Sequence, residues 1–206
     1  MRPYGPDTAL IVVDVQNDFA DPAGSLAVAG GEAIITVIND HVRAATDAAS
    51  LVVATQDWHP DSTPHFAKDG GIWPVHCVAE SWGAALHPAL SLPEDAPRIH
   101  KGAGGEDGYS GFTMRDPVTG ETRPTALEEL LRSHGIRRVT IVGLATDYCV
   151  RATALDAVAL GFDTTLITDA VAAVDLEPGD GDRALDEMRA AGVTLDAAAN
   201  AELDHG

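Results

Sequence analysis

The stretch "RRVTIVGLATDYCVRATALDAVALG" (residues 137–161) begins with an apolar run that passes directly into a helical pattern. A second apolar run, "FDTTLITDA" (residues 162–170), follows that helical pattern. Continuously apolar strands that alternate with helices are typical of a parallel sheet covered on both faces. The stretch therefore predicts a β-α-β unit whose first turn, between strand and helix, contains Cys149.

The same alternation occurs on both sides of this unit. Further strand patterns are "ALIVVDV" (9–15), "LVVATQD" (51–57), "RIHK" (98–101) and "VTLDA" (193–197), and further helical patterns cover 31–48, 125–135 and 181–192. Such alternation is typical of doubly wound sheets. We therefore predict an α/β fold, a single-domain doubly wound parallel sheet with helices on both faces that spans residues 1–206.

Charge and composition exclude several classes of partner. The net charge is −19, with 32 acidic and 13 basic residues, so the protein repels nucleic acids and anionic lipid surfaces. No apolar run reaches the roughly 18 residues that a membrane-spanning helix needs. The first residues lack an export signal and there are only two cysteines, which favours a cytoplasmic protein with free thiols. The sequence leaves open whether the chain forms a homo-oligomer.

Polar residues end the predicted strands. Asp14 ends the first strand, Asp57 the second and Lys101 the third, and the turn with Cys149 follows the fourth. In doubly wound sheets, ligands bind where the carboxyl ends of the strands meet. These four residues are therefore expected to lie along one edge of the sheet.

Two interpretations of Cys149 are open at this point. An isolated free cysteine is most often a small apolar core residue. A cysteine near the start of a helix is instead expected to have a lowered thiol pKa, and backbone N–H groups there can bind an oxyanion. Asp14 and Lys101 at neighbouring strand ends would supply the proton transfers that a nucleophilic cysteine needs.

A long irregular region at about 57–125 contains a second group of chemically active residues. Asp57, His59, His65 and His76 lie within 20 residues of one another. A carboxylate with several imidazoles suits zinc, Fe(II) or Mn(II). We predict a metal and substrate region here, although a single histidine in a loop is usually structural.

The motifs that carry these residues resemble a known family. They are "DVQNDF" (14–19), "TQDWHP" (55–60), "WPVHC" (73–77), "HKG" (100–102), "DGYSGF" (107–112) and "VGLATDYCV" (142–150). In this order they resemble the cysteine hydrolases of isochorismatase-like fold, and "DWH" with "WPxHC" resembles the metal-binding signature of the nicotinamidase (pyrazinamidase) branch. The resemblance extends from about residue 7 to about residue 195.

For the reaction centre, the resemblance implies a catalytic triad of Asp14, Lys101 and Cys149. It also implies a cis peptide between Leu144 and Ala145, which would direct the N–H groups of Ala145 and Cys149 into an oxyanion hole. The implied reaction is the hydrolysis of nicotinamide to nicotinate and ammonia through a cysteine thioester, a step of NAD salvage.

For the metal and substrate, the resemblance implies one divalent ion, in the first place zinc, with iron or manganese as alternatives. Its ligands would be Asp57, His59 and His76, with His65 as a fourth ligand at a position where family members differ. Aromatic walls for the nicotinamide ring would come from Phe19 and Trp73, with Tyr109 nearby.

Two rival functions keep some of these residues. A metal-free amidase of the same fold, acting on another small amide or a carbamoyl compound, would need the triad but not the clustered metal ligands. A non-catalytic protein that binds nicotinamide or a metal would need the pocket but not the nucleophile.

Overall fold

A computed structural model describes residues 4–197, so the two ends of the predicted domain, 1–3 and 198–206, lie outside the described residues. The strands are β1 (Thr8–Val13), β2 (Leu51–Asp57), β3 (Arg98–Lys101), β4 (Thr113–Arg115), β5 (Thr122–Pro124), β6 (Arg138–Leu144), β7 (Asp163–Ala172) and β8 (Thr194–Asp196). Six of them form one parallel sheet in the order β3-β2-β1-β6-β7-β8. This order confirms the predicted doubly wound α/β fold.

Helices cover both faces of this sheet. They are α1 (Asn17–Ala20), α2 (Ile35–Asp47), α3 (Leu127–Ser133), α4 (Arg151–Ala159) and α5 (Asp180–Ala191). Because side chains alternate along a strand, those of β1 pack into a hydrophobic core on each face of the sheet. Leu10 packs in the core under α2, and Ile11 packs in the core under α3, α4 and α5. Among the described helices, none combines the length and apolar character required to cross a bilayer.

The region between β2 and α3 contains structure that the sequence pattern does not predict. β4 and β5 form a short antiparallel hairpin, and residues Ala67–Asp69 form a single 3-10 turn. The hairpin strands have three residues each, and α1, which lies before this region and is likewise not predicted, has four. Segments this short span little more than one period of a strand or helix, which is too few residues for a recognisable hydrophobic pattern.

Strand register brings the predicted polar residues together. Asp57 at the end of β2 lies directly opposite Lys101 at the end of β3. On the other side of β2, strand β1 ends next to Asp14 and pairs with β6, where Val13 lies opposite Gly143. All four strand ends therefore meet at one edge of the sheet, as predicted.

The close approach of β1 and β6 predicts a large effect of Gly143→Ala. Gly143 has φ +117°, and an added Cβ would lie 2.1 Å from the carbonyl oxygen of Val13. The control is Gly135→Ala, where φ is +69° and no atom lies within 4 Å of an added Cβ. We expect the control to lower the free energy of unfolding by about 1 kcal/mol. Gly143→Ala should lower it by at least about 3 kcal/mol more, because the strands must separate. Urea denaturation followed by circular dichroism measures both, and equal losses would contradict the steric argument.

Candidate active site

A fully buried lysine lies at the centre of the site. The ammonium nitrogen of Lys101 is 2.6 Å from Oδ2 of Asp14 and 2.9 Å from Oδ1 of Asp57. It also donates a hydrogen bond to the carbonyl oxygen of Gly108. The other carboxylate oxygen of Asp14 accepts a hydrogen bond from Thr55 Oγ1 at 2.6 Å. Buried charges are stable only when they are paired in this way.

The protonation of these groups follows from burial and from their neighbours. Burial disfavours the Lys101 ammonium, but the two carboxylates outweigh burial and raise the lysine pKa well above its usual range. Burial raises the pKa of Asp14 to about 6, against the opposing effect of Lys101. For Asp57, Lys101 and the nearby imidazoles overcome burial and hold the pKa far below its usual range. Of the two acids, Asp14 is therefore the one that accepts a proton near neutral pH.

Cys149 lies in a tight turn at the end of β6. The peptide between Leu144 and Ala145 is cis, as the resemblance implies. A single π-helical turn, Thr146–Val150, then carries Cys149 before α4 begins. The thiol of Cys149 and the carboxylates of Asp14 and Asp57 have polar atoms that all lie within 4.8 Å of one another. The structure thus brings the predicted triad together.

The expected low pKa of Cys149 is wrong. Burial raises the pKa of the thiol well above its usual range. Lys101 opposes this effect, while the carboxylates of Asp14 and Asp57 add to it. The start of a helix stabilises a thiolate only modestly, and here burial outweighs it. Cys149 is therefore a neutral thiol at rest, and a base has to remove its proton before it can attack.

The predicted histidines form a buried cluster beside the triad. His59, His65 and His76 each have a ring nitrogen within 4.8 Å of the others. Oδ2 of Asp57 lies 3.7 Å from Nε2 of His59 and 3.9 Å from Nε2 of His76. One carboxylate therefore faces Lys101 with one oxygen and the imidazoles with the other.

The donor set of this cluster fits a metal ion. Both ring nitrogens of His59 are buried and lack a hydrogen-bond partner among the described residues. Nδ1 of His65 pairs with Asp107 and Nδ1 of His76 with the carbonyl oxygen of Pro74, each at 2.7 Å, which leaves both Nε2 atoms for a ligand. Burial also lowers the pKa of His76 to about 4, so its imidazole is neutral. Neutral imidazoles with an ionised carboxylate suit zinc, iron or manganese.

The thiol of Cys149 and two of the histidines, His65 and His76, line one pocket. Its walls are formed by Phe19, Leu26, Val28, Asp57, His65, Trp73, His76, Tyr109, Ala145, Tyr148, Cys149 and Val174. The predicted aromatic residues are among them, and the indole N–H of Trp73 donates to the hydroxyl of Tyr109 at 2.8 Å. Asp14, Lys101 and His59 lie deeper, fully buried behind this wall.

Sequence reasoning missed several residues of the pocket. Tyr148 packs edge-on against Trp73 with ring centroids 4.9 Å apart. Asp147 accepts hydrogen bonds from the N–H groups of Val174 and Asp175, both at 2.9 Å, and so holds Val174 in the pocket wall. The only signal for Tyr148 and Asp147 was their position beside Cys149.

Comparisons with known proteins identify the family of this chain. The family model of the isochorismatase domain matches residues 8–199 of the sequence. A nicotinamidase of Escherichia coli is 39% identical over 92% of this chain and 94% of its own length.

Solved structures agree with this match. The pyrazinamidase of Pyrococcus horikoshii, solved in complex with zinc, is 44% identical with a TM-score of 0.83, over 93% of this chain and 99% of that one. PnC1 of L. infantum, solved in complex with nicotinate, is 39% identical with a TM-score of 0.84, over 94% of each chain. These findings confirm the resemblance inferred from the motifs, and the chain belongs to the isochorismatase family.

Proposed function

We propose that this protein is a metal-dependent amidase that hydrolyses nicotinamide to nicotinate and ammonia through a thioester on Cys149. The observation that carries the proposal is the shared pocket, because Cys149 lies in the same wall as Asp57, His65 and His76. A metal-free amidase has no use for three buried imidazoles around one carboxylate. The nicotinamidase activity of the E. coli relative and the nicotinate bound to the L. infantum relative support the same substrate.

Residues Asp57, His59, His65 and His76 would hold one divalent ion. When bound, such an ion supplies a Lewis acid that orients the pyridine nitrogen of the substrate. We propose zinc, in agreement with the zinc complex of the P. horikoshii relative, with iron and manganese as alternatives that the same ligands accept. In this proposal residues 57–125 are the metal- and substrate-binding region of a single domain.

The aromatic walls would position the ring. Phe19 and Trp73 offer apolar surfaces for a flat heteroaromatic ring, with Tyr109 and Tyr148 beside Trp73. A ring bound here displaces water from the pocket, which strengthens the electrostatic interactions around the thiol. The carboxamide would then face Cys149.

Acylation would begin with Asp14. Its carboxylate takes the Cys149 proton, and the thiolate attacks the amide carbon while the N–H groups of Ala145 and Cys149 stabilise the oxyanion. Asp14 then returns the proton to the amide nitrogen. The C–N bond breaks, ammonia leaves and a thioester remains on Cys149.

Deacylation would use the same base. Asp14 takes a proton from water, the resulting hydroxide attacks the thioester carbon, and the C–S bond breaks. The proton returns from Asp14 to the Cys149 sulfur, and the product leaves as nicotinic acid, which releases a proton to solvent and becomes nicotinate. Lys101 keeps Asp14 in place throughout and stabilises its anionic form, because it pairs with that carboxylate at 2.6 Å.

The first prediction of the proposed function concerns the two cysteines. Cys149→Ala should abolish ammonia release from nicotinamide, a loss of at least about 10³-fold in kcat, because the nucleophile is removed. Cys77→Ala is the matched control, since the Cys77 thiol is fully buried and its sulfur lies 3.9 Å from the carbonyl oxygen of Gly83. It should retain activity once circular dichroism has established that it is folded. Turnover by folded Cys149→Ala would contradict the thioester mechanism.

The second prediction is a pH profile. The pKa of Asp14 is raised to about 6 by burial, and only the ionised form accepts the thiol proton. The kcat/KM for nicotinamide should therefore fall about tenfold per pH unit below pH about 6 and level off above it. The metal content of the same samples is measured, so that a fall in kcat/KM caused by protonation of Asp14 can be distinguished from one caused by loss of the ion. A rate that stays constant from pH 7 to pH 5 with full metal content would contradict a catalytic base with a pKa of about 6.

The third prediction concerns the metal. Protein stripped by a chelator should lose nicotinamide hydrolysis and recover it with zinc, Fe(II) or Mn(II). His59→Ala should prevent recovery, whereas His134→Ala, an exposed histidine at the end of α3, should recover like the wild type. Full activity of the stripped protein would contradict the metal requirement of the proposed function.

A further inference from the structure

We propose that Asp107 is a positioning residue that makes His65 a metal ligand, and that the hairpin of β4 and β5 holds Asp107 in place. The inference rests on the metal site proposed above and adds a residue to it. Its basis is a difference between the three imidazoles: among the described residues, the second ring nitrogen pairs with a carboxylate in His65, with a backbone carbonyl in His76 and with no group in His59.

The first observation is the contact between His65 and Asp107. Oδ1 of Asp107 lies 2.7 Å from Nδ1 of His65, and the histidine side chain is 4% exposed. An ionised carboxylate can only accept a hydrogen bond, so Nδ1 of His65 carries the proton. The lone pair of this imidazole is then on Nε2. Asp107 thereby selects the tautomer and the ring orientation of His65.

The other two histidines lack a carboxylate of this kind. Nδ1 of His76 is paired with the carbonyl oxygen of Pro74, only two residues away, so the local backbone is enough to orient it. His59 has no hydrogen-bond partner on either nitrogen among the described residues. Asp107 is 42 residues from His65, and only the tertiary fold brings the two together.

The second observation explains how Asp107 is held. Its N–H donates to the carbonyl oxygen of Arg115 at 2.7 Å, and the N–H of Arg115 donates back at 3.2 Å. Nη1 of Arg115 also lies 3.8 Å from Oδ2 of Asp107, the oxygen that His65 does not use. Arg115 is the last residue of β4, so the hairpin fixes the backbone of Asp107, while the exposed Arg115 guanidinium adds only a weak attraction to its carboxylate.

A third contact joins the two loops directly. Thr63 Oγ1 donates to the carbonyl oxygen of Gly105 at 2.8 Å and accepts from the N–H of His65 at 3.2 Å. The His65 loop and the Asp107 loop are therefore joined by a second hydrogen bond beside the one between His65 and Asp107. This assigns a role to the hairpin, which lies outside the main sheet and contributes no residue to the pocket wall.

The test measures zinc affinity rather than turnover. Metal-free wild type, Asp107→Ala, Asp107→Asn, His65→Ala and the double variant Asp107→Ala/His65→Ala are titrated with zinc against a chromophoric chelator. Glu106→Gln is the matched control, since it removes the same charge one position away and its carboxylate is bound to the N–H of Gly104. Circular dichroism establishes folding of each variant.

We expect Asp107→Ala to weaken zinc binding about 10- to 100-fold, the usual effect of removing a carboxylate that orients a ligating histidine. Asp107→Asn keeps an acceptor without the charge and should lie between Asp107→Ala and wild type. Glu106→Gln should bind like wild type. In the His65→Ala background, Asp107→Ala should have no further effect, because Asp107 acts through His65.

Three results would overturn the inference without excluding a metal ion at this site. They are wild-type affinity in both folded Asp107 variants, wild-type affinity in His65→Ala, and an equal loss from Asp107→Ala with and without His65, which would indicate a general charge effect. If Asp107→Ala does not fold, the nearly isosteric Asp107→Asn decides on the same criteria. Absence of zinc binding in the wild type itself would overturn the metal proposal, and with it this inference.

Discussion

The ion pairs of Lys101 connect everything else in the site. An ammonium group with no exposure to solvent requires compensating charge, and Asp14 and Asp57 supply it from two neighbouring strands. Asp14 is the carboxylate next to the thiol of Cys149. Asp57 turns its other oxygen toward the histidines. The buried ammonium group of Lys101 therefore contacts both the carboxylate proposed to transfer protons, Asp14, and the carboxylate proposed to bind the metal, Asp57.

This arrangement is a direct product of the parallel sheet. Adjacent parallel strands end at the same edge, and the register of β2 and β3 places Asp57 opposite Lys101 without any help from loops. The central strand β1 lies between β2 and β6, so Asp14 follows it between Asp57 and the turn that carries Cys149. Residues on the sheet are held by many backbone hydrogen bonds, which gives proposed catalytic groups the rigidity they need.

The metal side is built differently. His65 and His76 come from a long irregular segment, where no ladder of backbone hydrogen bonds fixes a side chain. Their orientation depends on partners for the second ring nitrogen, a nearby carbonyl for His76 and the distant Asp107 for His65. In the proposed metal site, the hairpin of β4 and β5 holds the loop of Asp107 through backbone hydrogen bonds with Arg115, as the main sheet holds the ends of β1, β2 and β3.

By itself, the sequence determined the fold class, the strand ends that carry Asp14, Asp57 and Lys101, and the cluster of ligand-type residues after β2. Hydrophobic periodicity and residue type are local properties, so they can be read without coordinates. Only the tertiary structure decided that Cys149 is a neutral thiol, that Tyr148 and Val174 line the pocket, and that Asp107 reaches His65. Burial, electrostatic environment and contacts between distant segments arise from packing, and packing is a property of the whole chain rather than of any stretch of it.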